Sequence, residues 1–192
     1  MNQPLGVILA GGLASRMGGG DKGLLRLGDG TILSHVIARL EPQVAGLALN
    51  ANGDPARFAD LGLPVVPDSI EGFAGPLAGV LAGLDWAATM GAEHIFTAAA
   101  DTPFLPCDLV PRLLATGAPL ALAATADGAH PTFGLWPVAL RDDLRAALQG
   151  GLRKVVHWTD RHHAATAMFD GPGDPFFNVN TPDDLARAEA ML

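Results

Sequence analysis

The chain has 192 residues, of which 49% are hydrophobic and 17% charged, and its formal net charge is −8. This composition is typical of a folded globular protein, and at this length one domain over residues 1–192 is expected. The acidic balance argues against a broad basic surface for DNA or RNA, so no nucleic-acid partner is predicted. The one cysteine, Cys107, excludes an intramolecular disulfide and a zinc site built from cysteines.

The sequence lacks the patterns of a secreted or membrane-spanning protein. Residues 1–4 carry no basic side chain, and the apolar run at 5–10 is too short for the hydrophobic part of a signal peptide. The apolar stretches at 76–88 and 118–126 are interrupted by Gly, Asp or Pro, well short of the length that spans a bilayer. We therefore expect a cytoplasmic protein with no membrane partner.

Short apolar runs alternate with segments of helical periodicity along the chain. Because several of these runs are apolar throughout, as in strands covered on both faces, they predict a three-layer α/β domain. Ligands of such folds bind at the carboxyl ends of the strands. In chain order the predicted elements are strand 5–10, helix 32–40, strand 44–51, strand 64–66, helix 76–90, strand 94–100, helix 108–115, strand 119–125, strand 132–136, helix 138–148, strand 164–169 and helix 182–191.

The last predicted helix has a clear start. It begins Thr181-Pro182-Asp183-Asp184, with a hydroxyl at the N-cap, proline at the first helical position and acids in the first turn. This start follows an extended segment that carries two asparagines.

The loop after the first strand is rich in glycine and carries both kinds of cation. Residues 11–23 contain six glycines, Arg16 and Lys22, which is one of only two lysines in the chain. Glycine lets backbone N–H groups approach a phosphate closely. Arg16 offers a planar fork to phosphate oxygens, and Lys22 offers a compact charge. We interpret the segment as a phosphate-binding loop, with a flexible Gly-rich surface loop as the alternative.

Two better-known phosphate motifs do not fit this loop. The Walker A motif needs Gly-Lys-Ser/Thr, whereas Asp21 precedes Lys22 and Gly23 follows it. The spacing G-x-G-x-x-G at 18–23 matches the dinucleotide fingerprint formally. That fingerprint needs its first glycine directly after the strand, and the predicted strand ends near Ala10.

Several short motifs follow the predicted strands or precede the last helix. In this combination, which covers nearly the whole chain, the sequence resembles the molybdenum cofactor guanylyltransferases (MobA proteins) of the nucleotidyltransferase superfamily. The Arg-Met-Gly-Gly-x-Asp-Lys form is more specific than the looser Gly-rich loop of the wider superfamily. The matching residues are Leu9-Ala10-Gly11-Gly12, Arg16-Met17-Gly18-Gly19, Asp21-Lys22, Asn50-Ala51-Asn52, Asp68, Gly75-Pro76-Leu77-Ala78-Gly79, Asp101-Thr102-Pro103, His130-Pro131-Thr132 and Phe177-Asn178-Val179-Asn180-Thr181-Pro182.

The resemblance implies a Rossmann-like nucleotidyltransferase fold with a mainly parallel sheet. It also implies a Mg²⁺-dependent enzyme that transfers GMP from GTP to the terminal phosphate of molybdopterin, or of its molybdenum-bound form, and releases pyrophosphate. Molybdoenzyme chaperones and other cofactor-biosynthesis proteins are further candidate partners, and a monomer is expected. For the nucleotide, the resemblance implies that backbone groups of Leu9, Ala10 and Gly11 bind guanine and that Asn50 and Asp68 contact the nucleoside. It implies that Arg16 and Lys22 bind the phosphates and stabilise charge, and that Asp101 binds Mg²⁺ and the nucleotide. It also implies a pterin pocket near Asn178 and Asn180.

The chemistry of these side chains agrees with the implied roles, and each also has a structural alternative. Asp101 ends an uncharged strand and offers the hard oxygen that Mg²⁺ prefers, although an Asp before Thr-Pro also suits a turn or a helix cap. Asp68 can accept from a guanine or ribose donor, and Asn50 can donate and accept at a base edge; either can instead be a turn residue. Asn178 and Asn180 alternate in an extended segment and therefore point the same way, unless one of them caps the last helix.

Two other functions are compatible with the sequence. A molybdenum cofactor cytidylyltransferase, or another sugar- or alcohol-phosphate nucleotidyltransferase of the same fold, would differ in its choice of nucleotide. A non-catalytic nucleotide-binding module would leave the combination of Lys22 and Asp101 unexplained.

Outside these motifs, the sequence offers weaker candidates. His157, His162 and His163 are interpreted as part of a solvated loop rather than a metal site, since Asp160 is the one acid beside them. Lys154, the second lysine, is assigned to a solvated helix or loop.

Overall fold

The computed structural model describes residues 3–11, 21–70, 72, 75–171 and 173–192. Within those residues no helix combines the length and the hydropathy needed to cross a bilayer. Short 3-10 helices lie at Lys22–Leu24, Glu41–Gln43, Pro55–Leu61 and Val138–Leu140. The strands are β1 (Leu5–Leu9), β2 (Arg26–Leu27), β3 (Gly30–Thr31), β4 (Gly46–Asn50), β5 (Val65–Val66), β6 (His94–Ala99), β7 (Ala121–Thr125), β8 (Gly128–Pro137) and β9 (Ala165–Met168), and the α-helices are α1 (Ile32–Leu40), α2 (Pro76–Thr89), α3 (Leu109–Leu114), α4 (Arg141–Gln149), α5 (Val155–Arg161) and α6 (Pro182–Glu189).

A seven-stranded sheet has the order β5-β4-β1-β6-β8-β7-β9, and β2 and β3 form a separate antiparallel hairpin. In the large sheet β1 pairs parallel with β4 and β6, β4 with β5, and β7 with β9. β8 runs antiparallel between β6 and β7. The predicted mainly parallel sheet is therefore confirmed. The carboxyl ends of β1, β4, β5 and β6 lie at one edge, where ligands of such folds bind.

Helices cover both faces of the large sheet. On one face, α1 and α3 pack against strand residues that include Ile8 and Phe96. On the other face, α2, α4 and α5 pack against strand residues that include Val7 and Ile95. Val7 and Ile8 are neighbours on β1 and point to opposite faces, so both sides of this strand are buried. This burial explains its unbroken apolar sequence and confirms the predicted three-layer α/β fold.

Two glycines on α2 set the distance between this helix and the sheet. A Cβ on Gly83 would lie 2.8 Å from Cγ2 of Val7, and a Cβ on Gly79 would lie 2.3 Å from Oδ1 of Asn50. Both separations are shorter than the van der Waals contact distance between a Cβ and its neighbouring atoms in packed proteins. The helix backbone therefore approaches the ends of β1 and β4 more closely than any side chain would allow.

The structure corrects two of the predicted elements. The segment predicted as one helix over 138–148 is a 3-10 turn at Val138–Leu140 followed by α4. The segment around His157, predicted as a solvated loop, contains α5. Val155, Trp158 and Thr159 are buried and have helical spacing, but this pattern is only about one turn long and charged residues flank it on both sides, so the sequence conceals it.

Candidate active site

A cavity of about 930 Å³ opens at the carboxyl edge of the large sheet. Its walls come from the loops after β1, β4, β5 and β6 and from the segment that precedes α6. Asn180 borders the cavity through its contact with Lys22, whereas Arg16 lies outside the described residues. The cavity brings together most of the predicted site residues: Leu9, Ala10, Gly11, Lys22, Asn50, Asp68, Asp101 and Asn178.

The end of β1 presents backbone groups to this cavity. The N–H of Ala10 donates to the carbonyl of Asn50 at 2.9 Å, and the carbonyl of Leu9 accepts from the N–H of Ala100 at 3.2 Å. The sheet therefore uses these two groups. Among the residues described by the structure, the Ala10 carbonyl and both backbone groups of Gly11 have no protein partner, so they are the groups available to a ligand.

Asp68 is held by two asparagines from the end of β4. Its Oδ1 accepts from Nδ2 of Asn50 at 3.0 Å, and its Oδ2 accepts from Nδ2 of Asn52 at 2.8 Å. The N–H of Asp68 in turn donates to Oδ1 of Asn52 at 2.8 Å. Each carboxylate oxygen keeps a lone pair for a further donor. The network therefore fixes the orientation of the carboxylate while leaving it able to accept from a ligand.

Asn50 is buried beneath this carboxylate, with 3% of its surface exposed. Its two amide hydrogens go to Asp68 and to the carbonyl of Val66, which is 3.1 Å away. Its side-chain oxygen lies against Gly79 of α2. In this arrangement Asn50 orients the carboxylate of Asp68, and a direct contact between its amide and a base stays a prediction.

The opposite side of the cavity is built around Lys22. Its ammonium donates to Oδ2 of Asp101 at 2.9 Å and to Oδ1 of Asn180 at 2.6 Å. The Lys22 and Asp101 side chains are 18% and 24% exposed, so water screens the pair only in part. The sequence predicted both residues for the site, but it did not predict the ion pair between the Lys22 ammonium and the Asp101 carboxylate.

The segment before α6 is attached to the loop after β6. The N–H of Val179 donates to the carbonyl of Asp101 at 2.9 Å, and the hydroxyl of Thr102 donates to Oδ1 of Asn178 at 2.5 Å. With Asn180 on Lys22, both asparagine side chains are turned toward the Lys22–Asp101 pair. That the two side chains point the same way, toward a pterin, stays a prediction.

The start of α6 fixes Asn180 in place. The hydroxyl oxygen of Thr181 accepts from the N–H of Asp184 at 3.1 Å, and the Asp184 carboxylate accepts from the N–H of Asn180 at 3.1 Å. Hydrogen bonds from the Thr181 hydroxyl and then from the Asn180 N–H lower the pKa of the Asp184 carboxyl, so this carboxyl stays charged. Thr181 is the N-cap, as its sequence predicted, and neither asparagine side chain caps the helix.

Asn52 lines the cavity and Arg57 contacts two of its lining residues, and the sequence missed both as site residues. The Nε of Arg57 pairs with Oδ2 of Asp21 at 2.9 Å, and its Nη2 donates to the carbonyl of Asn52 at 2.5 Å. Arg57 therefore joins the residue before Lys22 to the asparagine that holds Asp68. Asn52 was visible as part of a motif, but Arg57 lies on a 3-10 helix that no motif marks.

The residues around Asp101 fit a magnesium ion that arrives with a nucleotide. Mg²⁺ usually takes one or two carboxylates and completes its shell with water and substrate phosphates. Oδ2 of Asp101 already binds a cation, the ammonium of Lys22, so positive charge is accommodated there. The described part of the chain contains no group of three or more His, Cys, Asp or Glu able to hold a metal. A metal at Asp101 would therefore take most of its shell from water, and from phosphate oxygens once a nucleotide is bound.

The histidines near α5 lie apart from this cavity. Nε2 of His162 is 2.8 Å from Oδ1 of Asp143, and its ring packs against Trp158 with 4.4 Å between ring centres. The interpretation as a solvated loop is therefore wrong for His162. His157 is exposed on α5, and Lys154 is exposed directly before it, as predicted for this lysine.

The parallel sheet, the Gly-rich sequence after β1 and the lysine–aspartate pair at the strand ends are features of an α/β nucleotidyltransferase. A family model described as a MobA-like NTP transferase domain matches residues 6–165. A relative from Bradyrhizobium sp. (strain ORS 278), named molybdenum cofactor guanylyltransferase, is 56% identical over 97% of this chain and 92% of its own. The chain belongs to the MobA-like nucleotidyltransferases and, among them, to the molybdenum cofactor guanylyltransferases, so the resemblance in its motifs is confirmed.

Solved structures agree with this fold. The molybdopterin-guanine dinucleotide biosynthesis protein A from Archaeoglobus fulgidus superposes with a TM-score of 0.74 at 23% identity, covering 97% of each chain. A protein from Mycobacterium tuberculosis H37Rv, solved in complex with manganese, superposes with a TM-score of 0.67 at 21% identity and covers 100% of each chain.

Asn52→Ala is expected to weaken nucleotide binding without unfolding the protein. The change removes the donor to Oδ2 of Asp68 and the acceptor of its N–H, so the carboxylate loses its fixed orientation. We expect the affinity for a nucleoside triphosphate to fall by about five- to tenfold, the size of one hydrogen bond of about 1 kcal/mol. Because Asn52 is exposed, the midpoint of urea unfolding should hardly change.

Calorimetric titration with the nucleotide measures this effect. In an Asp68→Ala background the same Asn52→Ala change should cause no further loss, because Asn52 acts through Asp68. Equal losses in the two backgrounds would contradict this role.

His130 supports the segment that carries the two asparagines. Its ring stacks on Phe176 with 4.3 Å between ring centres, and its Nε2 is 2.9 Å from the Thr125 hydroxyl. Burial lowers the pKa of His130, although Asp174 and Asp127 partly oppose this shift. The folded protein therefore favours the neutral ring over the charged one.

His130→Gln is expected to reduce the acid sensitivity of folding. A histidine with a lowered pKa in the folded state stabilises the fold above its unfolded pKa of about 6.5. This contribution is lost as the pH falls below that value, because the unfolded chain then binds the extra proton. Urea unfolding at pH 7.5 and pH 5.5 measures the effect. The wild-type protein should lose more stability between the two than the variant does, and identical losses would argue against a titrating His130.

Proposed function

We propose that this protein transfers GMP from GTP to the terminal phosphate of molybdopterin, or of its molybdenum-bound form, in a Mg²⁺-dependent reaction. An oxygen of the acceptor phosphate would attack the α-phosphorus of GTP, a new P–O bond would form, and the bond to the β-phosphate would break to release pyrophosphate. The observation that carries this proposal is the contact between Lys22 and Asp101 at the carboxyl edge of the sheet. It pairs a phosphate-binding cation with a metal-binding carboxylate at one point.

The base and ribose would bind on the side of Asp68. The carboxylate, oriented by Asn50 and Asn52, can accept from the N–H groups of guanine or from a ribose hydroxyl. The free backbone groups of Ala10 and Gly11 would complete the contacts to the base. The name of the Bradyrhizobium relative favours guanine over cytosine, and a cytidylyltransferase is not favoured.

The phosphates would bind on the side of Lys22. Among the described side chains that line the cavity, the cation Lys22 faces three carboxylates, those of Asp21, Asp68 and Asp101, and Arg57 pairs with Asp21 from outside the lining. A triphosphate needs additional positive charge there. Arg16, from the loop after β1, would contribute part of it, and Mg²⁺ held by Asp101 would supply the rest by neutralising phosphate oxygens.

The chain's own groups would accelerate transfer by position and charge. No covalent enzyme intermediate is needed, because the acceptor phosphate is itself the nucleophile. Lys22 would stabilise the charge that develops on the departing pyrophosphate. The acceptor would approach beside the segment with Asn178 and Asn180, which lies next to the Lys22–Asp101 pair. A pterin contact by either side chain stays a prediction, as do partner chaperones, a monomeric state and a cytoplasmic location.

The decisive experiment is mass spectrometry of the product formed from molybdopterin with GTP or CTP, with and without Mg²⁺. We expect the guanine dinucleotide form with GTP, one pyrophosphate per turnover, and no product after removal of divalent metal. A preference for CTP would overturn the guanylyl assignment. Binding of GTP without release of pyrophosphate would instead identify a non-catalytic nucleotide-binding module.

Lys22→Met is expected to slow guanylyl transfer by about ten- to a hundredfold. The change removes a charge-assisted contact of about 1.5–3 kcal/mol from the transition state and keeps the length of the side chain. Steady-state rates with saturating GTP and molybdopterin measure it. Lys154→Met is the matched control, because the second lysine of the chain lies outside the cavity, and it should keep the wild-type rate. An unchanged rate in Lys22→Met would remove this role from Lys22.

A further inference from the structure

Lys22 and a metal ion would compete for the same carboxylate. The ammonium of Lys22 donates to Oδ2 of Asp101 at 2.9 Å, and the proposed function assigns this carboxylate to Mg²⁺. The other oxygen, Oδ1, is 3.4 Å from the Thr102 hydroxyl. A divalent ion placed on the carboxylate would also lie beside the lysine charge and be repelled by it. Lysine and metal therefore cannot both bind Asp101 at full strength.

Asn180 gives Lys22 a second acceptor. Its Oδ1 accepts from the same ammonium at 2.6 Å. Because this acceptor is a neutral amide oxygen, it binds an ammonium more weakly than a carboxylate does. Lys22 can therefore leave Asp101 without becoming unpartnered, and it can still turn to a phosphate.

The backbone around Asn180 keeps this acceptor in a fixed place. Its N–H donates to the Asp184 carboxylate at 3.1 Å in the capping turn of α6. The preceding residue, Val179, donates its N–H to the carbonyl of Asp101 at 2.9 Å. The acceptor on Asn180 and the carboxylate of Asp101 are thus held at a set separation by a backbone hydrogen bond and a helix cap, which do not involve Lys22.

We propose that Asn180 is a positioning residue that retains the Lys22 ammonium in the site while Asp101 exchanges this lysine for the metal ion. Without nucleotide, Lys22 shares its charge between Asp101 and Asn180 and opposes metal binding. When the nucleotide arrives with its metal, Lys22 stays anchored on Asn180, beside the phosphates. This inference rests on the proposed function, since it concerns the metal and phosphate steps of that reaction.

The test is the affinity of the nucleotide-free protein for Mn²⁺, measured from the electron paramagnetic resonance signal of the free ion. The proteins are the wild type, Lys22→Met, Asn180→Ala and the double variant. Lys22→Met should bind Mn²⁺ about tenfold more tightly, because the variant lacks the charge that repels the ion. A change of this size is typical of the coupling between two neighbouring charges. Asn180→Ala should bind it about three- to tenfold more weakly, because Lys22 then depends on Asp101 alone.

The double variant separates a positioning role from direct ligation. If Asn180 acts through Lys22, Asn180→Ala has no effect on the affinity for Mn²⁺ once Lys22→Met is present. If the loss is the same in both backgrounds, Asn180 is itself a metal ligand and the proposal is overturned. An unchanged affinity in Lys22→Met, or in Asn180→Ala alone, overturns it as well.

Two controls and one second measurement complete the design. Asp101→Asn should abolish the Mn²⁺ binding, and Lys154→Met should leave it unchanged. Far-ultraviolet circular dichroism and the unfolding midpoint verify that each variant is folded. The transfer assay on the wild type tests the proposed function separately. If the wild type is active but the four proteins do not show the expected Mn²⁺ affinities, this inference alone is refuted. If the wild type makes no guanine dinucleotide, the proposed function is refuted.

Discussion

The parallel pairing of β1 with β4 on one side and β6 on the other is the constraint on which the site depends. In this register Leu9 lies beside Asn50 of β4 and beside Ala99 of β6. The chain therefore leaves all three strands at the same level of one sheet edge. A slip by one residue would turn the buried side chains of β1 to the wrong face. The packing of the core thus also fixes the relative positions of Leu9, Asn50 and Ala99, and with them the strand end that Asp101 follows.

The same edge explains how an acidic protein can bind a polyanion. The net charge of the protein is −8, yet Lys22 lines the cavity and Arg57 pairs with Asp21 at its border. Each of them is held by a carboxylate, Asp101 and Asp21 respectively. These ion pairs keep the cations in place before a ligand binds. In the proposed reaction a nucleotide would take over a cation, and the carboxylate that is released would take a metal.

The sequence predicted the parts of the fold that local patterns encode. The apolar strands, the capped start at Thr181 and the Gly-rich segment after β1 all depend on neighbouring residues, so a single sequence displays them. It did not predict that Lys22 contacts Asn180, or that Arg57 pairs with Asp21, because these contacts join residues far apart in the chain. The burial of Asn50 was hidden for the same reason, since it depends on how closely α2 packs against the sheet.

Gly79 makes that packing part of the nucleotide pocket. The side-chain oxygen of Asn50 occupies the space that a side chain at position 79 would need. The amide nitrogen of the same Asn50 side chain donates a hydrogen bond to the carboxylate of Asp68. The close approach of the α2 backbone at Gly79 therefore sets the position of the Asn50 side chain and, through their hydrogen bond, that of the Asp68 carboxylate at the cavity. If the proposed base site is right, the choice of base could be changed from Gly79, which lies behind Asn50 and Asp68 rather than in the lining of the cavity.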